Sequence, residues 1–344
     1  MPKKFDVVIG NPPYQDDAVG DTNQTFAIYD KFMDAAYAVA DRVVLITPAR
    51  FLSNAGTTPK AWNQKMLDDV HLMVAHYQAN SDALFPGTDI KGGIVVTYRD
   101  ANAVLGPIGH FVSHSELSTI LTKVQATKPK SLMSIVTSQG WYKYTKLIHE
   151  ERPTLMDTLS GTGRTYLKSN VFSSLAPLMY DTKPDDGRDY SRLLGIKDGH
   201  RVEKWFRTDY LVAGPDFDQF KVILPKANGS GAFGETLSSP RIGEPHLGYT
   251  ETFIGIGRFG SREVADGCLQ YLKTKLARAM LGVLKTTQDN TKGKWKYVPL
   301  QDFTANSDID WTQSIPAIDQ QLYKKYGLSD DEITFLETHV KPME

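Results

Sequence analysis

The first hundred residues alternate short apolar runs with amphipathic helical patterns, and this alternation leaves few possible folds. Runs of β-branched and apolar residues predict buried strands at 5–10, 43–46, 72–75 and 94–98. Apolar residues at helical spacing predict one helix over 25–40 and a second that begins at Thr58-Pro59, with the proline at its first position. The order strand, helix, strand, helix, strand, strand predicts an α/β fold with a parallel sheet. Such sheets bind ligands at the carboxyl ends of their strands.

The pattern changes beyond residue 127. A helix is predicted over 115–126, followed by a linker at 128–131, so we expect one domain over 1–127 and a second over 128–344. The second is richer in glycine and proline and has shorter strand-like pieces, which predicts a mixed α+β domain. A long helix is predicted after Ser261, with apolar positions from Val264 to Val283 on one face, and a last helix from Asp330.

Composition excludes several classes of protein. The 344 residues include 41% hydrophobic and 23% charged side chains, which is typical of a folded globular chain. No apolar run approaches the roughly 18–20 residues of a membrane span, and the charged amino terminus does not resemble a signal peptide. The single cysteine, Cys268, falls on an apolar helix face and is expected in the core. We therefore expect a cytoplasmic protein with no membrane contact.

The charged residues, which sum to a net charge of −1, are distributed unevenly along the chain. Residues 161–300 carry 21 basic and 15 acidic side chains, whereas 301–344 carry 3 basic and 9 acidic. A basic block that also contains Trp205, Tyr210 and Trp295 predicts a surface for double-stranded DNA. For any single residue a solvated surface charge is the more frequent alternative. The principal candidates are Arg192, Lys204, Arg207, Lys221, Arg258, Lys273 and Arg278, with Arg164, Lys168, Lys226, Lys292, Lys294 and Lys296 as further ones.

The strongest local signal is Asn11-Pro12-Pro13-Tyr14, directly after the first predicted strand. It matches the NPPY motif of methyltransferases that modify a planar amino nitrogen. The Asn11 side-chain oxygen and the Pro12 carbonyl can each accept one N–H of such an amine. Pro13 stiffens the turn, and Tyr14 can stack on a base that has been flipped out of the duplex. An ordinary turn at the end of a strand is the alternative for this motif.

Further segments extend the resemblance over nearly the whole chain. They are 5–15, 46–52, 84–93 and 319–328, and together they resemble the adenine-specific DNA methyltransferases of type II restriction–modification systems. The resemblance implies transfer of a methyl group from S-adenosylmethionine to the exocyclic amine of adenine, without a metal. It also implies that Asn11 to Tyr14 are catalytic and that Phe85 packs on the other face of the flipped base. For Phe85, a core position is an equally frequent alternative. Residues 1–127 would be the carboxyl-terminal half of a Rossmann-like catalytic domain and 128–344 a target-recognition domain.

The cofactor-binding residues are not identified. In this family the glycine-rich turn that binds S-adenosylmethionine precedes the NPPY motif, so we expect activity to need a complementary cofactor-binding half, supplied by another polypeptide or lost by truncation. The sequence from Gly255 to Gly260 spells G-x-G-x-x-G, but no strand that ends in Asp or Glu follows at the required distance. Ser160-Gly161-Thr162-Gly163 is a weaker candidate, because no helical pattern follows it.

Other functions fit the sequence less well. Asp82, Asp89 and Lys91 loosely resemble the layout of metal-dependent restriction nucleases, but the methyltransferase resemblance already accounts for this segment. A non-catalytic, sequence-specific DNA-binding module with a vestigial NPPY turn is the main alternative. Methylation of a protein glutamine or an RNA base by the NPPY turn would leave the basic, aromatic-rich region without a role.

Overall fold

The computed structural model describes residues 4–16, 26–109, 111–112, 114–138 and 140–344. The chain divides into two compact units, Met1–Ser118 and Thr119–Glu344, which we call unit 1 and unit 2. Both mix helices with small sheets, so the chain is an α/β protein. No helix within the described ranges is long and apolar enough to cross a membrane.

Unit 1 contains one four-stranded sheet in the order β1-β2-β4-β3. Its strands are β1 (Phe5–Gly10), β2 (Ala40–Pro48), β3 (Leu72–Gln78) and β4 (Ile94–Asp100). All four predicted strands are present, and β1 pairs with β2 in parallel. The prediction of a parallel sheet is nevertheless wrong for β4, which runs antiparallel to both β2 and β3. Residues 79–93 form a compact loop with no long helix, so the chain is not carried back across the sheet as a parallel connection requires.

Two helices supply the core of unit 1. They are α1 (Tyr29–Val39) and α2 (Lys60–Asp68), where Pro59 is the N-cap residue and not the first helical residue. Three aromatic side chains, Tyr29, Phe51 and Trp62, meet at ring-centroid distances of 5.4 to 6.3 Å. This packing fixes α1 and α2 relative to the segment that follows β2.

β1 lies at the edge of the sheet, and one of its faces is open. Val8 packs against the core, whereas Phe5, Val7 and Ile9 are exposed, Ile9 to 76%. Phe32 of α1 is also exposed. Alternate residues of a strand point to opposite faces, so the exposed side chains form one apolar stripe beside an edge whose second side carries no strand of the described chain.

Unit 2 contains two three-stranded sheets and one two-stranded sheet. The first is β11-β6-β7, the second is β10-β9-β12 and the third pairs β5 with β8. The strands are β5 (Lys143–Tyr144), β6 (Tyr190–Lys197), β7 (His200–Arg207), β8 (Leu211–Val212), β9 (Phe220–Pro225), β10 (Arg241–Gly243), β11 (Leu247–Tyr249) and β12 (Phe253–Phe259). The helices are α3 (Ser115–Ala126), α4 (Lys146–Glu151), α5 (Pro153–Asp157), α6 (Val171–Ser174), α7 (Arg262–Lys273), α8 (Lys275–Gly282), α9 (Ile315–Tyr326) and α10 (Asp330–His339).

The long helix predicted after Ser261 is two helices. Ser261 is the N-cap, as expected, and its side chain accepts a hydrogen bond from the Val264 amide. The chain leaves the helical conformation at Thr274, whose side chain caps α8 by accepting from the Ala277 amide. A threonine in a continuous apolar pattern is a weak signal, and here its capping bond ends one helix and starts another.

The units divide inside α3, between Ser118 and Thr119, and not at the linker that the sequence predicts. The end of α3 is bound to α10. The side chains of Thr119 and Lys123 donate to the Glu332 carboxylate at 2.7 and 2.6 Å. These charge-assisted bonds hold most of α3 within unit 2.

Candidate active site

The Asn11–Tyr14 turn follows β1 at its carboxyl end. Gly10 is the last residue of the strand and pairs with Leu45 of β2. Asn11 and Pro13 are exposed, whereas Pro12 and Tyr14 are half-buried. The Tyr14 carbonyl accepts from the Ile28 amide at 3.2 Å, which fixes the end of the turn. The turn therefore presents its polar groups at the carboxyl ends of the strands, where ligands of α/β proteins bind.

A cavity of about 150 Å³ adjoins Tyr14. Three of the segments that carry the family resemblance line it together. They contribute Tyr14 and Gln15, Pro48 and Arg50, and Asp89 and Ile90. Burial raises the pKa of the Tyr14 phenol, and the neighbouring Asn11 side chain opposes the rise. The phenol is therefore neutral at physiological pH and retains its proton.

Arg50 joins the second segment to the third. Its Nε donates to the Lys91 carbonyl at 2.5 Å, and the Ala49 amide donates to the Gly93 carbonyl at 2.9 Å. Gly92 has a φ of +88°, and a Cβ on it would lie 3.0 Å from the Arg50 side chain. The left-handed conformation favours glycine here, and the space beside Arg50 is tight for a larger residue. Sequence reasoning missed Arg50, although its position inside the family-like segment 46–52 could have pointed to it.

Phe85 lies on a loop that closes on Ser81. The Ser81 hydroxyl donates to the Thr88 carbonyl at 2.9 Å and accepts from the Ile90 amide at 2.8 Å. The Asp82 carboxylate accepts from the Gly87 amide. Phe85 itself is half-buried and is not among the residues that line the cavity. Its loop nevertheless brings Asp89 and Ile90 to the cavity that Tyr14 lines.

An open depression of about 350 Å³ adjoins Asn11 and Pro12 of the turn. Its described lining is mainly hydrocarbon, from side chains such as Val8, Phe32 and Leu45, beside Asn11 and Pro12. No charged side chain lines it among the described residues. S-Adenosylmethionine carries an ammonium, a carboxylate and ribose hydroxyls, which need polar partners. These residues alone therefore do not fit that cofactor.

Two predicted DNA contacts are wrong, because their side chains are buried. Lys221 is fully buried, and its Nζ donates to the carbonyls of Asp216, Phe217 and Glu244 at 3.0 to 3.3 Å. Desolvation lowers its pKa to about 8. Arg278 is 3% exposed and donates to main-chain carbonyls, including that of Lys273 at 3.1 Å. Both cations hold the backbone of unit 2 together and cannot reach a phosphate.

Lys204 and Arg207 are also buried, and acidic side chains bind them. Lys204 pairs with Asp181. Arg207 donates to both oxygens of Glu151, at 2.6 and 3.1 Å, and to Asp209. This arrangement lowers the pKa of Glu151 to about 2. Their positive charge is compensated inside the protein, so the structure gives no support to their predicted contacts with DNA.

The remaining candidates stay at the surface. Arg192 is part-exposed and pairs with Glu203 at 3.1 Å. Arg258 is exposed and Lys273 part-exposed, and neither has an ion pair with any described residue. Arg164 and Lys168 pair with Asp157 and Glu251. Trp205 is half-buried, while Tyr210 and Trp295 are buried.

The G-x-G-x-x-G sequence and the nuclease-like residues have structural roles. Gly255 and Gly257 lie within β12 and not between a strand and a helix. Gly257 has a φ of +84°, and the Phe259 ring occupies the place where its Cβ would lie. Asp89 pairs with Lys91 in an exposed ion pair. Among the described residues no group of three or more His, Cys, Asp or Glu could hold a metal ion. Cys268 is buried, as expected, and burial raises the pKa of its thiol.

Comparisons with known proteins agree with the predicted resemblance. Residues 1–85 match the family model described as Eco57I restriction-modification methylase. An "uncharacterized adenine-specific methylase" of Mycoplasma pneumoniae is 25% identical over 164 residues, which are 46% of this chain and 38% of that protein. The structure of the type IIG restriction endonuclease BpuSI aligns with 96% of this chain and 52% of its own, at 11% identity and a TM-score of 0.37. The chain thus spans about two fifths of the curated relative and half of the solved chain. The family match and the curated relative confirm that the chain is related to the adenine-specific methylases of restriction–modification systems.

Proposed function

We propose that this chain is part of a site-specific DNA methyltransferase that modifies the exocyclic amine of adenine. Unit 1 would carry the catalytic turn, and most of unit 2 would form the target-recognition domain, with the functional boundary near residue 127. The observation that carries the proposal is the convergence of three family-like segments on the cavity beside Tyr14. If the turn served only to end β1, there would be no reason for segments 5–15, 46–52 and 84–93 to line one cavity together.

The turn has the acceptors that an adenine amine requires. The side-chain oxygen of Asn11 and the carbonyl of Pro12 would each accept one N–H, which directs the nitrogen lone pair toward a methyl donor. Tyr14 would stack on one face of the extruded base, and Phe85 would approach the other face. The exposure of Asn11 is consistent with this role, because the base must enter from outside.

The methyl donor would be S-adenosylmethionine, bound mainly by residues beyond the apolar depression. The open edge of β1 and its stripe of Phe5, Val7 and Ile9 fit a further parallel strand, which would bring cofactor-binding residues to the turn. That strand could belong to the same protein or to a complementary polypeptide. Arg192, Arg258 and Lys273 are the principal candidates that remain for DNA phosphates in unit 2.

The test measures cofactor binding and methyl transfer separately. The chain is titrated with S-adenosylmethionine by calorimetry, and methyl transfer to DNA is assayed with and without a cofactor-binding half from a related methylase. We expect weak or no binding by the chain alone and transfer on complementation. Asn11→Ala should abolish transfer and leave DNA binding intact, whereas Asn102→Ala, an exposed asparagine of unit 1, should change neither.

Transfer that persists in Asn11→Ala would refute the assigned role of the turn. Sequence-specific DNA binding without transfer under either condition would instead favour the non-catalytic module, in which the turn is vestigial.

A further inference from the structure

Unit 2 contains a cavity of about 270 Å³, away from the Asn11–Tyr14 turn in sequence and with no role in the proposed reaction. It lies beside β12 and the segment that precedes β5. Aromatic side chains form much of its wall, namely Trp141, Tyr142, Tyr249 and Phe253. The size is near the lower end of small-molecule sites, which suits a single flat ring system.

Glu251, a residue of the cavity wall, has an unsatisfied hydrogen-bond acceptor. Its side chain is 9% exposed, and Oε2 accepts from Lys168 at 2.8 Å. The other oxygen, Oε1, is buried and has no hydrogen-bond partner among the described residues. Glu251 lines the cavity. A buried carboxylate oxygen without a donor is costly, so a ligand that supplies an N–H would relieve a cost that the protein already bears.

The aromatic wall is held rigidly from behind. The carboxylate of Asp216 is fully buried and accepts from the Trp141 indole, from the Tyr142 hydroxyl at 3.0 Å and from the Tyr249 hydroxyl at 2.8 Å. Gly214 lies against the Trp141 indole, where a Cβ would come within 2.3 Å of Nε1. The rings therefore keep their positions without a ligand, and a planar ligand would pay little ordering cost on binding.

Two lysines provide positive charge beside the rings. Lys226 and Lys292 both line the cavity and are part-exposed. Neither makes an ion pair with any residue that the structure describes. An aromatic wall, one carboxylate acceptor and two cations together match a flat base that bears an N–H donor and is joined to a phosphate.

We propose that this cavity binds an unstacked nucleobase with an exocyclic amine, while Lys226 and Lys292 contact its phosphate. The amine donates to Glu251 Oε1, as cytosine N4 donates to carboxylates in base recognition. Thymine is disfavoured, because its ring N–H lies between two carbonyl oxygens that the carboxylate would repel. The base can come from a free nucleotide or from a nucleic-acid strand. The proposal goes beyond the proposed function, since the target adenine is assigned to the turn in unit 1.

Calorimetric titration of the whole chain with dCMP, dAMP and dTMP tests the base preference. We expect dCMP or dAMP to bind at least about tenfold more tightly than dTMP. In Glu251→Gln, Lys168 retains the amide oxygen and an NH₂ group takes the place of Oε1, so the preference should be lost or reversed in favour of dTMP. Glu244→Gln is the matched control, because it replaces a carboxylate that pairs with Arg262 and does not line the cavity.

Further titrations test the phosphate contact and the source of the base. Lys226→Ala should weaken binding of the nucleotide but not of the corresponding nucleoside. If a strand is the source, oligo(dC) should compete more strongly than dCMP and oligo(dT) should not. If a free nucleotide is the source, dCMP should compete at least as well as oligo(dC). Equal affinity for dCMP and dTMP, no binding of any nucleotide, or an unchanged preference in a folded Glu251→Gln variant would overturn the proposal.

Discussion

Gly214→Ala adds one methyl group beside the Trp141 indole and is expected to lower the free energy of unfolding. The new Cβ would lie 2.3 Å from Trp141 Nε1 and 3.0 Å from Asp216 Oδ1. An ordinary contact needs about 3.5 Å, so the indole must move by about 1 Å and lose its hydrogen bond to Asp216. A bond to a buried charged group contributes about 1.5–3 kcal/mol. Alanine also lowers the conformational entropy of the unfolded chain, which stabilises the folded protein by about 0.4–1 kcal/mol.

The loss therefore outweighs the gain, and Gly214→Ala should lower the free energy of unfolding by about 0.5–2.5 kcal/mol. Urea denaturation followed by tryptophan fluorescence measures this directly. Gly260→Ala is the matched control, because no atom lies within 4 Å of its Cβ position. If Gly214→Ala is as stable as the wild type, the contact between Trp141 and Asp216 does not stabilise unit 2 and the reasoning fails.

Three further changes test other parts of the structure. Thr274→Ala removes the cap between α7 and α8 and should lower the unfolding free energy by about 1 kcal/mol in a denaturant titration; an unchanged midpoint would contradict the capping role. Burial raises the pKa of Asp319 to about 6, so its contribution to stability is present below pH 4 and is lost as the pH rises through 6, by about 3 kcal/mol in total. In Asp319→Asn this part of the pH dependence should disappear from unfolding curves between pH 4 and 7; an identical pH dependence would exclude the effect. Ile9→Lys places a charge on the open edge of β1 and should reduce self-association of the chain in sedimentation velocity. Val104→Lys changes an equally exposed apolar residue outside β1 and should not reduce it. If the two variants behave alike, the chain does not associate through this edge.

The strands and helices of unit 1 could be predicted because their signals are local. A β-branched run such as 94–98 and the apolar spacing of α1 each depend on a few neighbouring residues. The direction of β4 could not be predicted in this way, because it depends on how residues 79–93 fold. That loop closes through the Ser81 hydroxyl, which bonds to Thr88 and Ile90. A single serine in a polar stretch gives no sequence signal for bonds to Thr88 and Ile90, which lie seven and nine residues further along the chain.

The candidate site shows the same limit. The chemistry of Asn11 to Tyr14 could be inferred from residue type, since the motif is contiguous. The role of Arg50 depends on a bond to Lys91, 41 residues away in the chain, which no local pattern reveals. The cavity beside Tyr14 exists only because the sheet brings the ends of separate segments together.

The basic block shows why charge along a sequence is a poor guide to charge on a surface. Residues 161–300 carry an excess of six positive charges, but Lys221 and Arg278 are buried in unit 2 and donate hydrogen bonds to main-chain carbonyls there. Lys204 and Arg207 are bound by acidic side chains. Burying a cation is tolerated only when acceptors surround it, so a lysine in an apolar strand such as β9 already indicates an internal role. A DNA-binding surface on unit 2 must therefore be built from cations outside the core, and these are fewer than the sequence count suggests.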